Sequence, residues 1–256
     1  MDATIEVRNA ALTYQAPDGE VQAVENVSFS VKPGEFVSIV GPSGCGKSSL
    51  LSAIAGLEEL SAGEILICGE PVTGPNHHIG LMPQRDQLFP WWDIRHNVIL
   101  GLRIQGKDDA LHRKQVKALL ERYDLSGFAG KKPSQLSGGM RQRCALIRTL
   151  ATNPGILLLD EPFSALDYQT RLQVSCDIFS IIQAEKKTAL LVTHDISEAI
   201  SLSDRIVVLS SRPARVKTIV DVGRLRELPP MERREDPMFT TLFDMIWKEL
   251  DIHDRP

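Results

Sequence analysis

Long apolar runs are missing from this sequence. The longest are short pieces such as "ILLL" at 156–159, far below the roughly 18 residues that a membrane-spanning helix needs. An excess of charge of one sign is missing too. The 29 basic and 33 acidic residues leave a formal net charge of −4, so no strongly basic nucleic-acid-binding surface is expected, and nucleic acid is not an expected partner. Cysteines are few and far apart (Cys45, Cys68, Cys144 and Cys176), with no C-x-x-C pair. Neither a disulfide framework nor a zinc site is therefore expected. The opening "MDATIEVRNA" has no basic region followed by an apolar one, which argues against a secretory signal. No internal repeat or low-complexity tract occurs. At 256 residues the chain has the length of one large domain or two small ones, and it is expected to be soluble and cytoplasmic.

What is present falls into blocks. "IEVRNAALTY", "VENVSFSV" and "GEILICG" are short alternating or β-branched runs separated by "PDGE", "KPGE" and "SAG", the signature of strands joined by turns. "FVSIV" (36–40) is an apolar run that stops at Gly41, and a helical pattern then continues through Leu57. From about Asp86 to Ala151 strand signals fade, and "DDALHRKQVKALLERYDL" carries helical spacing with a polar face. Strands return as "ILLLD", "TALLVTH" and "RIVVLSS". Strands alternating with helices predict a parallel α/β core, here with a helical insertion at about 86–151 and an antiparallel β region in front. After Val222, "RLRELPPMERRED" has the look of a charged, proline-broken linker. Asp236 followed by Pro237 fits the cap and first turn of a helix whose Phe239, Leu242, Phe243, Ile246 and Leu250 share one face. That helix is expected to dock on its own domain.

The chemistry concentrates at strand ends. "GPSGCGKSS" (Gly41, Pro42, Ser43, Gly44, Cys45, Gly46, Lys47, Ser48, Ser49) fits G-x-x-x-x-G-K-[ST]. Glycines there let backbone N–H groups turn onto phosphate oxygens at a helix N-terminus, with Lys47 reaching the β- and γ-phosphates and the Ser48 hydroxyl ligating Mg²⁺. Cys45, beside a helix N-terminus, could have a lowered pKa, although a tolerated small residue is the simpler reading. "ILLLDE" ends in two acids: Asp160, suited to holding Mg²⁺ through water, and Glu161, placed to orient or deprotonate an attacking water. His194 closes "LLVTH" and could bond the γ-phosphate and that water; a structural histidine is the plainer alternative. Gln84 sits where the β region gives way to the helical one, so its amide could touch metal or water and move with the insertion.

A second glycine loop, "LSGGMRQR" (136–143), is harder to assign. Ser137 is a good N-cap, and Gly138 and Gly139 open a helix on which Met140, Cys144, Ile147 and Ala151 share a face. A capped helix and an anion site are equally compatible with that spacing.

Taken together, the phosphate loop at 41–48, Gln84, "LSGGM" with Gln142, Asp160 and Glu161, "SALD" (164–167) and His194 resemble, in order and spacing, the nucleotide-binding subunit of ABC transporters. The resemblance covers residues 4 to 222. It implies an α/β fold with a P-loop NTPase (RecA-like) core, an N-terminal antiparallel β subdomain and an inserted helical subdomain, hence an ABC ATPase domain at 4–225 and a linker plus C-terminal helix at 226–256. It also implies ATP and Mg²⁺ (held by Ser48, Gln84 and Asp160), with Tyr14 stacking on adenine. Two copies would pair head to tail, so that Ser137, Gly138, Gly139 and Gln142 of one close on the ATP of the other, with Asp167 linking the two sites. Lys47, Gln84, Glu161 and His194 would be the catalytic set.

"MPQRDQLFPWWDIRHNVILGL" and the tail "RREDPMFTTLFDMIWKEL" are similar to the nitrate/sulfonate/taurine importer group. There Phe89, Pro90, Trp91 and Trp92 would line the groove for a transmembrane permease. An extracytoplasmic solute-binding protein would act indirectly, and the chain would sit peripherally on the cytoplasmic face of the inner membrane. A soluble ABC ATPase of cofactor assembly is the alternative from another class; no long coiled coil of the DNA-repair type and no second cassette of the translation type is present.

Overall fold

The β-rich opening forms an antiparallel sheet. In the computed structural model, which describes residues 4–17 and 19–250, β1 (Ile5–Ala16) pairs with β2 (Gly19–Val31) and with β4 (Ala62–Ile67), and β4 pairs with the two-residue β5 (Glu70–Pro71). Period-2 alternation decides the faces: Val27, Phe29 and Val31 are buried while Asn26 and Ser28 face water.

The second sheet has the order β10-β9-β3-β8-β7-β6. Four of its strands match the apolar runs of the sequence: β3 (Phe36–Val40), β7 (Ile156–Asp160), β8 (Thr188–Thr193) and β9 (Arg205–Leu209). They are mutually parallel, and every residue of β3 and β8 is buried, as a sheet covered on both faces requires. Two strands were not anticipated. β6 (Ile79–Met82) is only four residues with a glycine inside, and β10 (Val216–Asp221) returns antiparallel to β9. Tertiary pairing with β7 makes β6 a strand, through Ile79 opposite Ile156 and Met82 opposite Leu159.

Register then aligns the carboxyl ends. Val40 lies opposite Thr193 and Val208, Asp160 opposite Val192, and Met82 opposite Leu159. Gly41, Gln84, Glu161, His194 and the loop after Leu209 thus leave one edge of the sheet, where α/β proteins place their ligands.

Between β6 and β7 no strand intervenes among the described residues. The chain instead makes α2 (Ile94–Ile104), α3 (Ala110–Arg122) and α4 (Gly138–Leu150), capped by Asp93, Asp109 and Ser137 respectively. Ile94, Val98, Leu102, Val116, Leu120, Cys144 and Ile147 form their own buried cluster. Helix α4 is buried on two sides, since Ala145, Leu146 and Leu150 join the cluster against the core sheet. Helix α1 (Lys47–Ile54) follows the phosphate loop, and α5 (Tyr168–Ala184) and α6 (Ile196–Leu202) complete the alternation with strands.

The expected linker is corrected. Residues 223–227 make a 3₁₀ turn and α7 spans Pro230–Glu235. Arg233 of α7 is only 1 % exposed and donates to the carbonyls of Ser203 (2.8 Å), Leu228 (2.9 Å) and Arg226 (3.0 Å). Three carbonyls compensate the burial of its guanidinium, so this segment is packed rather than spacing. Helix α8 (Pro237–Glu249) is capped by Asp236, as the sequence predicts, and packs Leu242 and Ile246 against α6 and β9 residues of one cluster. Residues 251–256, assigned to the same C-terminal stretch, lie outside the described residues.

Candidate functional site

Between β3 and α1 the phosphate loop turns through two glycines with positive φ, Gly44 (+71°) and Gly46 (+122°). At Gly46 a Cβ would fall 2.7 Å from the Ala23 carbonyl oxygen, so both conformation and contact demand glycine. Pro42 and Ser49 are half-buried, and Ser43, Gly44 and Ser48 are exposed along the loop. Lys47 is buried and its Nζ donates to the carbonyls of Gly41 (2.9 Å) and Pro42 (3.0 Å). The ammonium is thereby held over its own loop. Cys45 is corrected: its side chain is buried in the core cluster, and burial pushes the thiol pKa up, not down.

The β7 end supplies the facing acids. Ser48 Oγ donates to Asp160 Oδ1 at 2.9 Å. Burial raises the Asp160 pKa and the Ser48 bond opposes that rise. Glu161 has φ +42°, a left-handed conformation that costs a non-glycine residue about 1–2 kcal/mol. Its N–H is retained by the Val192 carbonyl at 2.8 Å. This turn aims the Glu161 carboxylate at His194, whose Nδ1 lies 2.9 Å from Oε2. Gln84 donates to Ser164 Oγ at 3.2 Å, and Ser164 Oγ donates to the Glu161 carbonyl at 3.0 Å. Gln84, Glu161 and His194, from three strand ends, thus meet in one hydrogen-bonded corner.

Tyr14 of β1 is 37 % exposed, with its hydroxyl bonded to Glu58; burial first, then that bond, raise its pKa. Asp167 caps α5 by accepting from Thr170 N at 3.1 Å; the Thr170 hydroxyl first, and then that N–H, lower its pKa.

The second glycine loop sits elsewhere and is built differently. Ser137 Oγ accepts from Met140 N at 3.3 Å, the expected cap. A Cβ on Gly138 would meet Leu166 Cδ2 at 2.9 Å, and one on Gly139 would meet Val174 Cγ2 at 2.6 Å. Within one chain these glycines suit the close approach of α4 to α5 and its preceding loop, where an added Cβ would have to displace a side-chain end. Gln142, expected beside these residues at the surface, is 4 % exposed in the single chain, on the α4 face that carries Ala145 and Leu146.

Phe89 packs on Trp91 (ring centroids 5.2 Å) and Trp92 (5.1 Å), and Trp91 is 64 % exposed. Sequence reading missed the residue that builds this turn. Asn97, fully buried on α2, accepts from Phe89 N at 2.6 Å and donates to the carbonyls of Phe89 (3.2 Å) and Asp93 (3.0 Å). An asparagine beside Ile94 and Val98 on an apolar helix face was the available sign. It also missed the clamp between this loop and α4. Arg141 Nε donates to Asp86 Oδ2 at 3.0 Å, and Arg148 donates to the carbonyls of Gln87 (2.7 Å) and Asp86 (2.8 Å). Those partners lie 55 to 62 residues apart in sequence, with no local pattern to join them.

Comparison with known proteins agrees with this geometry. The family described as "ABC transporter" matches residues 24–164. An uncharacterized ABC transporter ATP-binding protein of Bacillus subtilis (strain 168) is 46 % identical over 96 % of this chain and 95 % of its own length. An aliphatic sulfonates import ATP-binding protein of Bacillus anthracis is 40 % identical over 85 % of this chain and 86 % of its own. The solved dimeric structure of a post-hydrolysis state of the ATP-binding cassette MJ0796, bound to ADP and Pi, superposes with a TM-score of 0.73 at 32 % identity, covering 85 % of this chain and 98 % of that one. With a phosphate loop, two strand-end acids and a histidine gathered at one sheet edge and relatives of nearly equal length, the chain belongs to the ABC transporter family as an ATP-binding cassette.

Proposed function

We propose that this cassette hydrolyses ATP between two copies of itself and so powers a bacterial importer of a small solute such as nitrate, a sulfonate, taurine or a pyrimidine-type vitamin precursor. The loop 41–49 holds the phosphates, with Lys47 released from its own carbonyls to the β- and γ-phosphates, and Tyr14 stacks on the base. Ser48 and Asp160 are a converging hydroxyl and carboxylate, the hard oxygen donors Mg²⁺ prefers. Gln84 is the third proposed ligand. Phosphate and water oxygens would complete the shell. When bound, the ion offsets charge on the phosphates.

Glu161 accepts the proton of the attacking water, and His194 holds that carboxylate and the γ-phosphate in register. Ser137, Gly138 and Gly139 of the second copy close the site from the far side with the N-terminal end of α4, and Asp167 lies between the two sites. The dimeric cassette neighbour supports this pairing. The permease couples through Phe89, Trp91 and Trp92, placing the chain on the cytoplasmic face of the inner membrane.

One observation carries the transport reading: an exposed indole, Trp91, stands on a loop whose other end bonds the hydrolytic corner through Gln84. No described helix is long and apolar enough to cross a membrane; in the importer reading the membrane-spanning part is a separate permease. The tagged chain should therefore co-purify with a multispanning protein from detergent-solubilised membranes, and Trp91→Ala should release it while ATPase activity persists. Recovery of the chain without any membrane protein would contradict the importer assignment.

A further inference from the structure

Five strands point their carboxyl ends at the site edge, and four of them deliver residues already assigned: β3, β6, β7 and β8. The fifth, β9, runs into residues 210–215, to which no role has been given. That loop is nonetheless firmly built. Ala214 N donates to the Ala23 carbonyl at 2.9 Å and the Ala214 carbonyl accepts from Glu25 N at 2.9 Å, stitching the loop to β2. Ser210 Oγ accepts from Arg215 N at 3.0 Å and donates to the Pro213 carbonyl at 3.1 Å.

Its two arginines have different fates. Arg215 is neutralised by Glu25 at 2.8 Å. Arg212 reaches the phosphate loop instead, where its Nη2 donates to the Gly44 carbonyl at 2.7 Å. No carboxylate pairs with Arg212 among the described residues. A guanidinium on that carbonyl fixes the peptide plane between Gly44, which has φ +71°, and Cys45. A charge-assisted bond of this length is among the stronger kinds a protein makes. The uncompensated charge beside the loop also attracts polyanions. The same β2 residue, Ala23, presses its carbonyl against Gly46, so β2, the 210–215 loop and the phosphate loop form one unit.

We propose that Arg212 is a positioning residue of the nucleotide site: it holds the phosphate loop in its binding conformation and strengthens the grip on nucleoside di- and triphosphates. This rests on the reading of residues 41–49 as the ATP cradle.

The test is equilibrium binding of a fluorescent ATP analogue, and of ATP and ADP by competition, to the purified chain at two salt concentrations. Arg212→Ala is expected to weaken both natural nucleotides by about tenfold, the order associated with losing one charge-assisted bond. The loss should be larger at low salt, because added ions screen the exposed charge. Arg212→Lys should recover part of the loss. Turnover at saturating ATP and the thermal midpoint should both stay near wild type, separating positioning from folding. Arg215→Ala, which removes the neutralised arginine of the same loop, should bind as wild type does. Unchanged affinity in Arg212→Ala overturns the assignment. So does a fall in thermal midpoint that accounts for the weaker binding, or an equal loss in Arg215→Ala. A wild-type chain that binds no ATP would contradict the cradle itself, an outcome distinct from any of these.

Discussion

The two glycine loops of this chain are similar in composition and opposite in construction. In the first, Gly44 and Gly46 occupy left-handed or otherwise positive-φ backbone conformations, and the loop's own Lys47 lies over its carbonyls. In the second, Gly138 and Gly139 are the first two residues of a regular helix, and what crowds an added Cβ is a side-chain end, Leu166 Cδ2 at the one and Val174 Cγ2 at the other. The first loop needs glycine to turn the backbone, and in the second glycine eases the close approach of α4 to α5 and the loop before it. Within a single chain the second loop is therefore explained without any ligand. The reading that it grips a partner's nucleotide rests on family membership and on the exposure of Ser137, which caps α4 at the surface.

The comparison can be broken most sharply at Gly46. Gly46→Ala combines a strained φ with a clash against backbone, which cannot give way as a side-chain end can. ATP hydrolysis should fall by about a hundredfold or more, measured as phosphate release, while the circular-dichroism spectrum stays native. Retention of turnover would show that the loop tolerates a side chain and that its glycines are not conformational. The smaller effect belongs to Gly139. Gly139→Ala should destabilise the fold by about 2 kcal/mol through overpacking against Val174, read as a fall in thermal midpoint of about 5 °C. Val174→Ala should offset part of that loss when combined with it, so the pair should be more stable than the sum of the singles. Strict additivity would mean that the α4–α5 contact is not what favours glycine there.

The same contrast explains what the sequence could and could not reveal. Strands β3, β7, β8 and β9 are legible because burial on both faces writes them as unbroken apolar runs, and the residues just past their ends carry the chemistry. Strand β6 was not legible, because four residues have too little pattern and their state is set by pairing with β7; the place of Gln84 depends on it. The burial of Gln142 was not legible either, because its place in the motif says nothing about which side of α4 a residue faces. The segment before α8 was misread because arginines and prolines suggest solvent. Arg233 is buried by carbonyls supplied from as far away as Ser203, 30 residues earlier. Charge patterns report exposure only when no distant partner is available.

The central claim is that the second glycine loop serves the nucleotide of another copy, and complementation tests it most directly. Lys47→Ala should disable a chain's own cradle, and Ser137→Arg should disable the surface it offers its partner, so each variant alone should be nearly inactive. A mixed dimer then holds one site with both halves intact. An equimolar mixture should recover about a quarter of the wild-type sites, as random pairing of two chains dictates, and the ATPase rate of the mixture should rise with them. A mixture that stays as inactive as its components, or a Ser137→Arg chain that hydrolyses ATP at the wild-type rate, would contradict a site shared between two chains.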